Sequence, residues 1–280
     1  MVRTVVILRY AAFDVDREGG NPAGVVLDSS HSEDQMQAIA AEVGYSETAF
    51  LVPSSDGYAV RYFSPLAEVP FCGHATIASA VALAERDGVG DLLFTTLAGP
   101  VQVSTQLTDG RVTATLTTVA PSVTPAEDVD VLLALNALRW LIGELDPTLP
   151  PAVANAGASH LVLAAATRER LADLDYDYDA LGALMADRGW TTVQLVWRAG
   201  PAEFQSRNPF PPGGVREDPA TGAAAGAFGA YLRAHELVTP PAQVVLHQGV
   251  DLGQPCRLVV DIPPGARAGI RVTGTAVRLP

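Results

Sequence analysis

Lysine is absent from this sequence, and all 18 basic residues are arginine. A pyridoxal phosphate enzyme needs a lysine for its internal Schiff base, and a P-loop protein needs one at the nucleotide phosphates. The missing residue therefore excludes both of these large classes of enzyme.

The sequence also has few cysteines, no long apolar run and no excess of positive charge. Two cysteines, Cys72 and Cys256, give no disulfide framework and fit a reducing compartment. No apolar run reaches the roughly 18–20 residues that span a bilayer, and the short apolar stretch at the N-terminus is typical of a first strand rather than a signal peptide. A net charge of −13 disfavours nucleic acid and anionic membranes as partners. We therefore expect a cytoplasmic protein that binds neither.

The first part of the chain has the pattern of short strands joined by turns. Strands are expected near Val5–Phe13, Ala23–Leu27 and Ser46–Val52. A capping box at Ser32–Gln35 opens a helix, and Gly44 ends it.

Two further helices are apolar on every side, which predicts that they are buried in cores. They cover His74–Arg86 and Thr221–Leu232, and the second contains glycines that permit close neighbours. A strand is also expected at Tyr58–Ser64. Strands rich in valine and threonine accompany the helices: Val101–Leu107, Arg111–Thr117, Val193–Arg198, Val244–Gln248 and Arg257–Asp261. We therefore predict sheets that curl around buried helices.

The two buried helices also indicate an internal duplication. Cys72 and Asp218 each lie just before one of them, and strands recur at the same offset in both halves. A chain of 280 residues is long enough for two such domains. We expect the linker within Ala120–Val129.

The beginnings of these helices carry polar side chains that suit a ligand. Phe71–Thr76 supplies a thiol and an imidazole, and Glu217–Gly222 supplies Asp218. If the halves pack face to face, two helix N-termini would point into one cleft and favour a carboxylate. The alternatives are structural: Cys72 as a small buried hydrophobe, and Asp218 as an ordinary N-cap before Pro219.

Glu47 is a candidate acid/base group. On the predicted strand it shares a face with apolar Ala49 and Leu51, which would raise the pKa of its carboxyl. The alternative is a solvated glutamate at a strand end.

The remaining histidines, His31, His160, His235 and His247, have no metal-ligand spacing around them, so we predict no metal site there.

Four motifs, in order along the whole chain, resemble the PhzF-like phenazine-biosynthesis family of the diaminopimelate epimerase superfamily. They are Gly20–Ala23, Gly44–Phe50, Arg61–Pro65 leading into Phe71–Thr76, and Glu217–Gly222. The resemblance implies an α+β fold with two pseudo-symmetric domains, each a β-barrel around a central helix. It assigns residues 1–122 and 267–280 to the first domain and 123–266 to the second.

The resemblance also implies the site residues. Glu47 matches the acid/base glutamate, and His74 and Asp218 match residues that flank the substrate. A substrate pocket is implied at Ser46, Gly73, Ala75, Thr221, Gly222 and Ala223. The implied activity is a cofactor-free, metal-free isomerisation of a small carboxylated substrate of the dihydro-hydroxyanthranilate type, in a homodimer.

Two departures from the family pattern keep alternatives open. Epimerase relatives use a pair of thiols, whereas this chain has Cys72 in one half and Asp218 in the other. Ala223 replaces a frequent serine and removes a hydrogen-bond donor. The alternatives are an amino-acid epimerase that uses Cys72 with Asp218 or Glu47, and a small-molecule binding protein without catalysis.

Overall fold

The chain divides into two units in the computed structural model, which describes residues 6–280. The first unit runs to Thr117 and takes up Thr273–Pro280 again at the end of the chain, and the second unit is Thr118–Val272. Val5, the predicted start of the first strand, lies outside the described residues. None of the helices in the described range is long and apolar enough to cross a membrane.

A closed β-barrel forms the first unit. Its strands are β1 (Leu8–Ala12), β2 (Asn21–Val26), β3 (Thr48–Ser54), β4 (Gly57–Phe63), β5 (Glu68–Val69), β6 (Asp91–Thr96), β7 (Gly99–Thr108), β8 (Arg111–Thr117) and most of β17 (Arg271–Arg278). The order around the barrel is β17–β1–β2–β3–β4–β6–β7–β8, and β8 pairs with β17 again. Closure leaves these eight strands without a free edge.

Two helices belong to this barrel. Helix α1 (Glu33–Val43) begins with the predicted capping box at Ser32–Gln35 and ends at Gly44, whose φ of 72° is in the left-handed region. Helix α2 (Gly73–Asp87) contacts β1, β2, β3, β7 and β8, and its residues from Gly73 to Ala84 are all buried. The apolar helix predicted near His74–Arg86 is thus the core of the barrel.

The second unit has a curled sheet around a helix. Its strands are β9 (Ser122–Pro125), β10 (Ala152–Asn155), β11 (Ser159–Ala164), β12 (Thr192–Arg198), β13 (Glu203–Pro209), β14 (Glu217–Asp218), β15 (Ala242–Gln248) and β16 (Cys256–Ile262). Its helices are α3 (Asp128–Leu138), α4 (Arg168–Ala172), α5 (Tyr178–Arg188) and α6 (Gly222–Ala234). The sheet order is β9–β10–β11–β12–β13–β15–β16, and α6 contacts both end strands, β9 and β16. The predicted sheet around a buried helix is therefore confirmed in each unit.

The glycines of α6 allow its neighbours to approach closely. A Cβ atom on Gly226 would lie 2.6 Å from Thr118 Cγ2, and one on Gly229 would lie 2.7 Å from Val260 Cγ1. Real Cβ atoms do not tolerate such contacts, so the small residues are a packing requirement, as the sequence predicts.

Two sequence predictions differ from the structure. The strand expected from Ser46 begins at Thr48, and Thr48–Leu51 are all buried rather than alternating. The reason is that β3 is covered on both faces, by α2 inside the barrel and by a cluster around Phe50 and α1 outside. In addition, the predicted linker contains β9, which pairs with β10.

Candidate active site

The beginning of α2 is held firmly within the first barrel. Cys72 is its N-cap residue, and the Thr76 hydroxyl donates a 2.7 Å hydrogen bond to the Cys72 carbonyl. The hydroxyls of Tyr62 on β4 and Thr76 also lie 2.7 Å apart and are buried. These bonds fix the first helical turn against the barrel wall and thereby fix His74.

Glu47, Cys72 and His74 form one buried cluster, which we call the acid/base cluster. His74 Nε2 lies 3.4 Å from Glu47 Oε2. Cys72 Sγ lies 3.3 Å from His74 Nδ1, and Ser46 Oγ lies 3.3 Å from His74 Nε2. Only 8% of Glu47 and 4% of His74 are exposed, so water screens these contacts weakly.

Glu47 occupies the position immediately before β3, where its backbone carbonyl accepts a 3.2 Å hydrogen bond from Gly24 N–H. Burial raises the pKa of its carboxyl, and hydrogen bonds to Ser46 and Cys72 oppose the rise by favouring the carboxylate. A carboxyl with a raised pKa both takes and returns a proton near neutral pH. The environment of Glu47 therefore suits acid/base chemistry.

Asp218 and Thr221 form a second group, in the second unit. Thr221 Oγ1 donates a 2.6 Å hydrogen bond to Asp218 Oδ2. Asp218 lies in β14, which pairs with Asn208 in β13, and α6 begins only at Gly222 with Thr221 as its N-cap. The N-cap alternative for Asp218 is therefore wrong, because strand pairing holds residues 217–218 extended.

Gln248 joins this group, although it belongs to none of the motifs recognised in the sequence. Its side-chain amide donates a 2.6 Å hydrogen bond to the Asp218 carbonyl, and its oxygen accepts one of 3.2 Å from Thr221 N–H. A glutamine at an inward position at the end of β15, where the strand pattern calls for an apolar residue, is the signal that could have identified it.

A buried polar face lies on the neighbouring strands of the second unit. His160, Thr192, Gln194, Ser206 and Asn208 share one side of β11–β13 by register, and all are buried. His160 Nδ1 lies 2.8 Å from Thr192 Oγ1. Among the described residues, His160 Nε2, Asn208 Nδ2 and Ser206 Oγ have no protein hydrogen-bond partner. Sequence reasoning missed this face because its members are scattered along three strands.

The predicted site residues thus fall into two groups. The first unit holds Ser46, Glu47, Gly73, His74 and Ala75, and the second holds Asp218, Thr221, Gly222 and Ala223. Within each unit they lie at or just before the start of the buried helix, except Ser46 and Glu47, which precede β3. Gly73, Ala75 and Gly222 are buried, whereas Ala223 is partly exposed.

Comparisons with known proteins agree over nearly the whole chain. A family model described as phenazine biosynthesis-like protein, PhzC-PhzF, matches residues 10–279. The Escherichia coli K12 protein named uncharacterized isomerase YddE is 35% identical over 273 residues, which are 93% of this chain and 91% of the relative. The Pseudomonas aeruginosa trans-2,3-dihydro-3-hydroxyanthranilate isomerase is 32% identical over 266 residues, 92% of this chain and 89% of the relative.

Solved structures agree on the fold. The crystal structure of the Bacillus anthracis PhzF-family phenazine biosynthesis protein has a TM-score of 0.88 at 25% identity, and covers 100% of this chain and 98% of its own. The α+β, epimerase-like fold expected from the sequence is therefore confirmed.

Proposed function

The chain belongs to the phenazine biosynthesis-like PhzC-PhzF family and is an isomerase, and from this premise we propose that Glu47 moves a proton between carbons of a small carboxylated substrate. The observation that carries the proposal is the buried Glu47 carboxyl, which has a raised pKa and lies 3.4 Å from His74. The relatives that are named isomerases do not support the alternative of a binding protein without catalysis.

The proposed reaction breaks one C–H bond and forms another. The Glu47 carboxylate takes a proton from a carbon next to an unsaturated, carboxylated system, the electron pair shifts along that system, and Glu47 returns the proton to a different carbon. Substrate and product have the same formula, so the step needs no oxidant or reductant. His74 stabilises the charge that develops while the proton is on Glu47.

The second group supplies substrate binding in this proposal. Asp218 would bind a polar group such as the substrate amine. In each unit, backbone N–H groups in the first turn of the buried helix would bind anionic groups of the substrate, with Ser46, Gly73 and Ala75 lining the pocket in the first unit and Thr221, Gly222 and Ala223 lining it in the second. Because Ala223 offers no hydroxyl, we expect fewer hydrogen bonds to the substrate there.

The candidate substrate is trans-2,3-dihydro-3-hydroxyanthranilate, the compound in the name of the P. aeruginosa relative. Proton NMR in deuterium oxide with this compound tests the proposal. We expect an isomeric product that carries solvent deuterium at carbon, formed by the wild type and by the exposed control Glu42→Gln but not by Glu47→Gln. Absence of turnover by the wild type would contradict this substrate, and full activity of Glu47→Gln would contradict the mechanism.

One observation favours a second candidate, an epimerase. Cys72 Sγ lies 3.3 Å from His74 Nδ1, which is within range for the imidazole to take the thiol proton. An epimerase would use Cys72 with Asp218 or Glu47 and would lose activity on conversion of Cys72 to alanine. The Glu47 isomerase predicts that Cys72→Ala keeps turnover.

The cytoplasmic location and the homodimer remain predictions from the sequence.

A further inference from the structure

The acid/base cluster also has the composition of a metal site. Glu47, Cys72 and His74 each offer one ligand atom, and these three atoms all lie within 4.8 Å of one another. Thiolate, imidazole and carboxylate are all zinc ligands, and magnesium and calcium prefer sites made of oxygen alone. Ligand spacing in the sequence does not predict this set because Glu47 is distant from the other two residues along the chain.

The distance between the Glu47 and His74 donors matches one edge of a zinc tetrahedron. Zinc bonds of about 2.0–2.2 Å to nitrogen and oxygen and about 2.3 Å to sulfur place the N and O ligands about 3.4 Å apart and the N and S ligands about 3.6 Å apart. In the cluster, His74 Nε2 lies 3.4 Å from Glu47 Oε2 and 3.8 Å from Cys72 Sγ. The edge between Glu47 and His74 is therefore already formed, whereas Cys72 Sγ, which lies 3.3 Å from His74 Nδ1, must rotate toward the Nε2 side to complete the set.

The charges of the cluster also fit a dication. A thiolate and a carboxylate together neutralise Zn²⁺, which offsets much of the penalty of placing an ion among buried side chains. Three protein ligands leave the fourth position for water or a substrate carboxylate, the arrangement of an open rather than a closed structural site.

We propose that Glu47, Cys72 and His74 bind Zn²⁺ reversibly through Oε2, Sγ and Nε2, and that the bound ion inhibits the isomerase. The metal is an inhibitor here and has no part in turnover. Binding releases the thiol proton, and the Glu47 proton when it is present, to solvent without any change of oxidation state. The inhibition rests on the proposed function, because an ion on Glu47 occupies the lone pair that takes the substrate proton. The binding of zinc does not depend on the proposed function.

Cobalt substitution tests binding without substrate. Co²⁺ added to chelator-treated wild type is expected to give one equivalent of a sulfur-to-cobalt charge-transfer band, which zinc displaces and magnesium does not. Cys72→Ala should lack the band, and the matched control Cys256→Ala, which removes the other buried cysteine, should keep it. Circular dichroism of each variant confirms that it is folded.

Calorimetry measures how much each ligand contributes to the affinity for zinc. Loss of a group that only orients a ligand weakens metal binding about 10–100-fold, so loss of a ligand itself should weaken it by more than about 100-fold in Cys72→Ala and in Glu47→Gln. A wild type without the band, a folded Cys72→Ala that keeps it, or a Cys256→Ala that loses it would overturn the proposal.

The two proposals fail separately. Zinc binding with no turnover of the candidate substrate would leave the metal site in place and contradict the substrate. Turnover that millimolar zinc does not slow, in a protein that binds no cobalt, would overturn the metal site and leave the isomerase in place.

Discussion

His74 Nε2 lies 3.4 Å from Glu47 Oε2, and both side chains are almost completely buried. A proton on either group is therefore shielded from bulk water and is positioned for transfer rather than for exchange. The pKa of Glu47 decides when the carboxylate form is available as a base.

Ser46→Ala is expected to raise the pKa of Glu47 further. The hydrogen bond from Ser46 favours the carboxylate, so its loss leaves the effect of burial less opposed. A carbon NMR titration of the labelled Glu47 carboxyl measures the change in the free enzyme. The acid limb of the pH–rate profile should move in the same direction, to higher pH, because the base form appears only above the raised pKa.

Ser54→Ala is the matched control for that variant, since Ser54 is an exposed serine on β3. An unchanged or lowered pKa of Glu47 in Ser46→Ala would contradict the assignment of the hydrogen bond.

Gln248→Met is expected to destabilise the second unit and to weaken substrate binding. The change leaves the Thr221 N–H and the Asp218 carbonyl without their bonds to a fully buried side chain. An unsatisfied buried group costs about 1–3 kcal/mol in the free energy of unfolding, which urea denaturation measures. Gln243→Met, at an exposed position on the same strand, should change it by less than about 0.5 kcal/mol. Equal effects of the two variants would contradict the structural role of Gln248.

His160 is expected to make the protein less stable in acid. Complete burial lowers the pKa of His160 to about 3, against about 6.5 in the unfolded chain. Between these values the unfolded chain binds a proton that the folded protein excludes, so the free energy of unfolding falls with falling pH by up to about 1.4 kcal/mol per pH unit. In His160→Gln, the free energy of unfolding should therefore depend less steeply on pH between pH 6.5 and 4. An identical slope in the variant would show that His160 titrates normally in the folded protein.

Gly229→Val is expected to destabilise the core of the second unit. A Cβ atom there would lie 2.7 Å from Val260 Cγ1 and 2.8 Å from Ile270 Cγ2, and overpacking of this kind costs about 1–3 kcal/mol. Ala183→Val, at an exposed position of α5, is the control for the lower helix propensity of valine. If both variants lose the same stability, close packing at Gly229 is not the cause.

The sequence predicts the elements whose patterns are local. Helix α2, expected at His74–Arg86 and found at Gly73–Asp87, was recognisable because no side of it is polar. Strand β8 was predicted at its observed bounds, Arg111–Thr117, and the capping box at Ser32–Gln35 is present as predicted. These features depend on the order of neighbouring residues alone.

The parts of the site that the sequence does not predict depend on contacts between distant residues. The distance from Glu47 to His74 depends on how β3 and α2 pack in the barrel. The bonds of Gln248 to Asp218 depend on strand order in the second unit. Strand pairing of Asp218 also makes Thr221, rather than Asp218, the N-cap residue of α6. Pattern within a segment carries no information about such contacts.

In the proposed reaction Glu47 carries the proton, and the decisive measurement is the rate of Glu47→Gln on trans-2,3-dihydro-3-hydroxyanthranilate. A positioned acid/base group contributes about 10²–10⁴-fold to a rate, so kcat should fall by that factor. Glu42→Gln, the exposed control, should keep the rate of the wild type. A Glu47→Gln enzyme that turns over the substrate as fast as Glu42→Gln would contradict this role of Glu47.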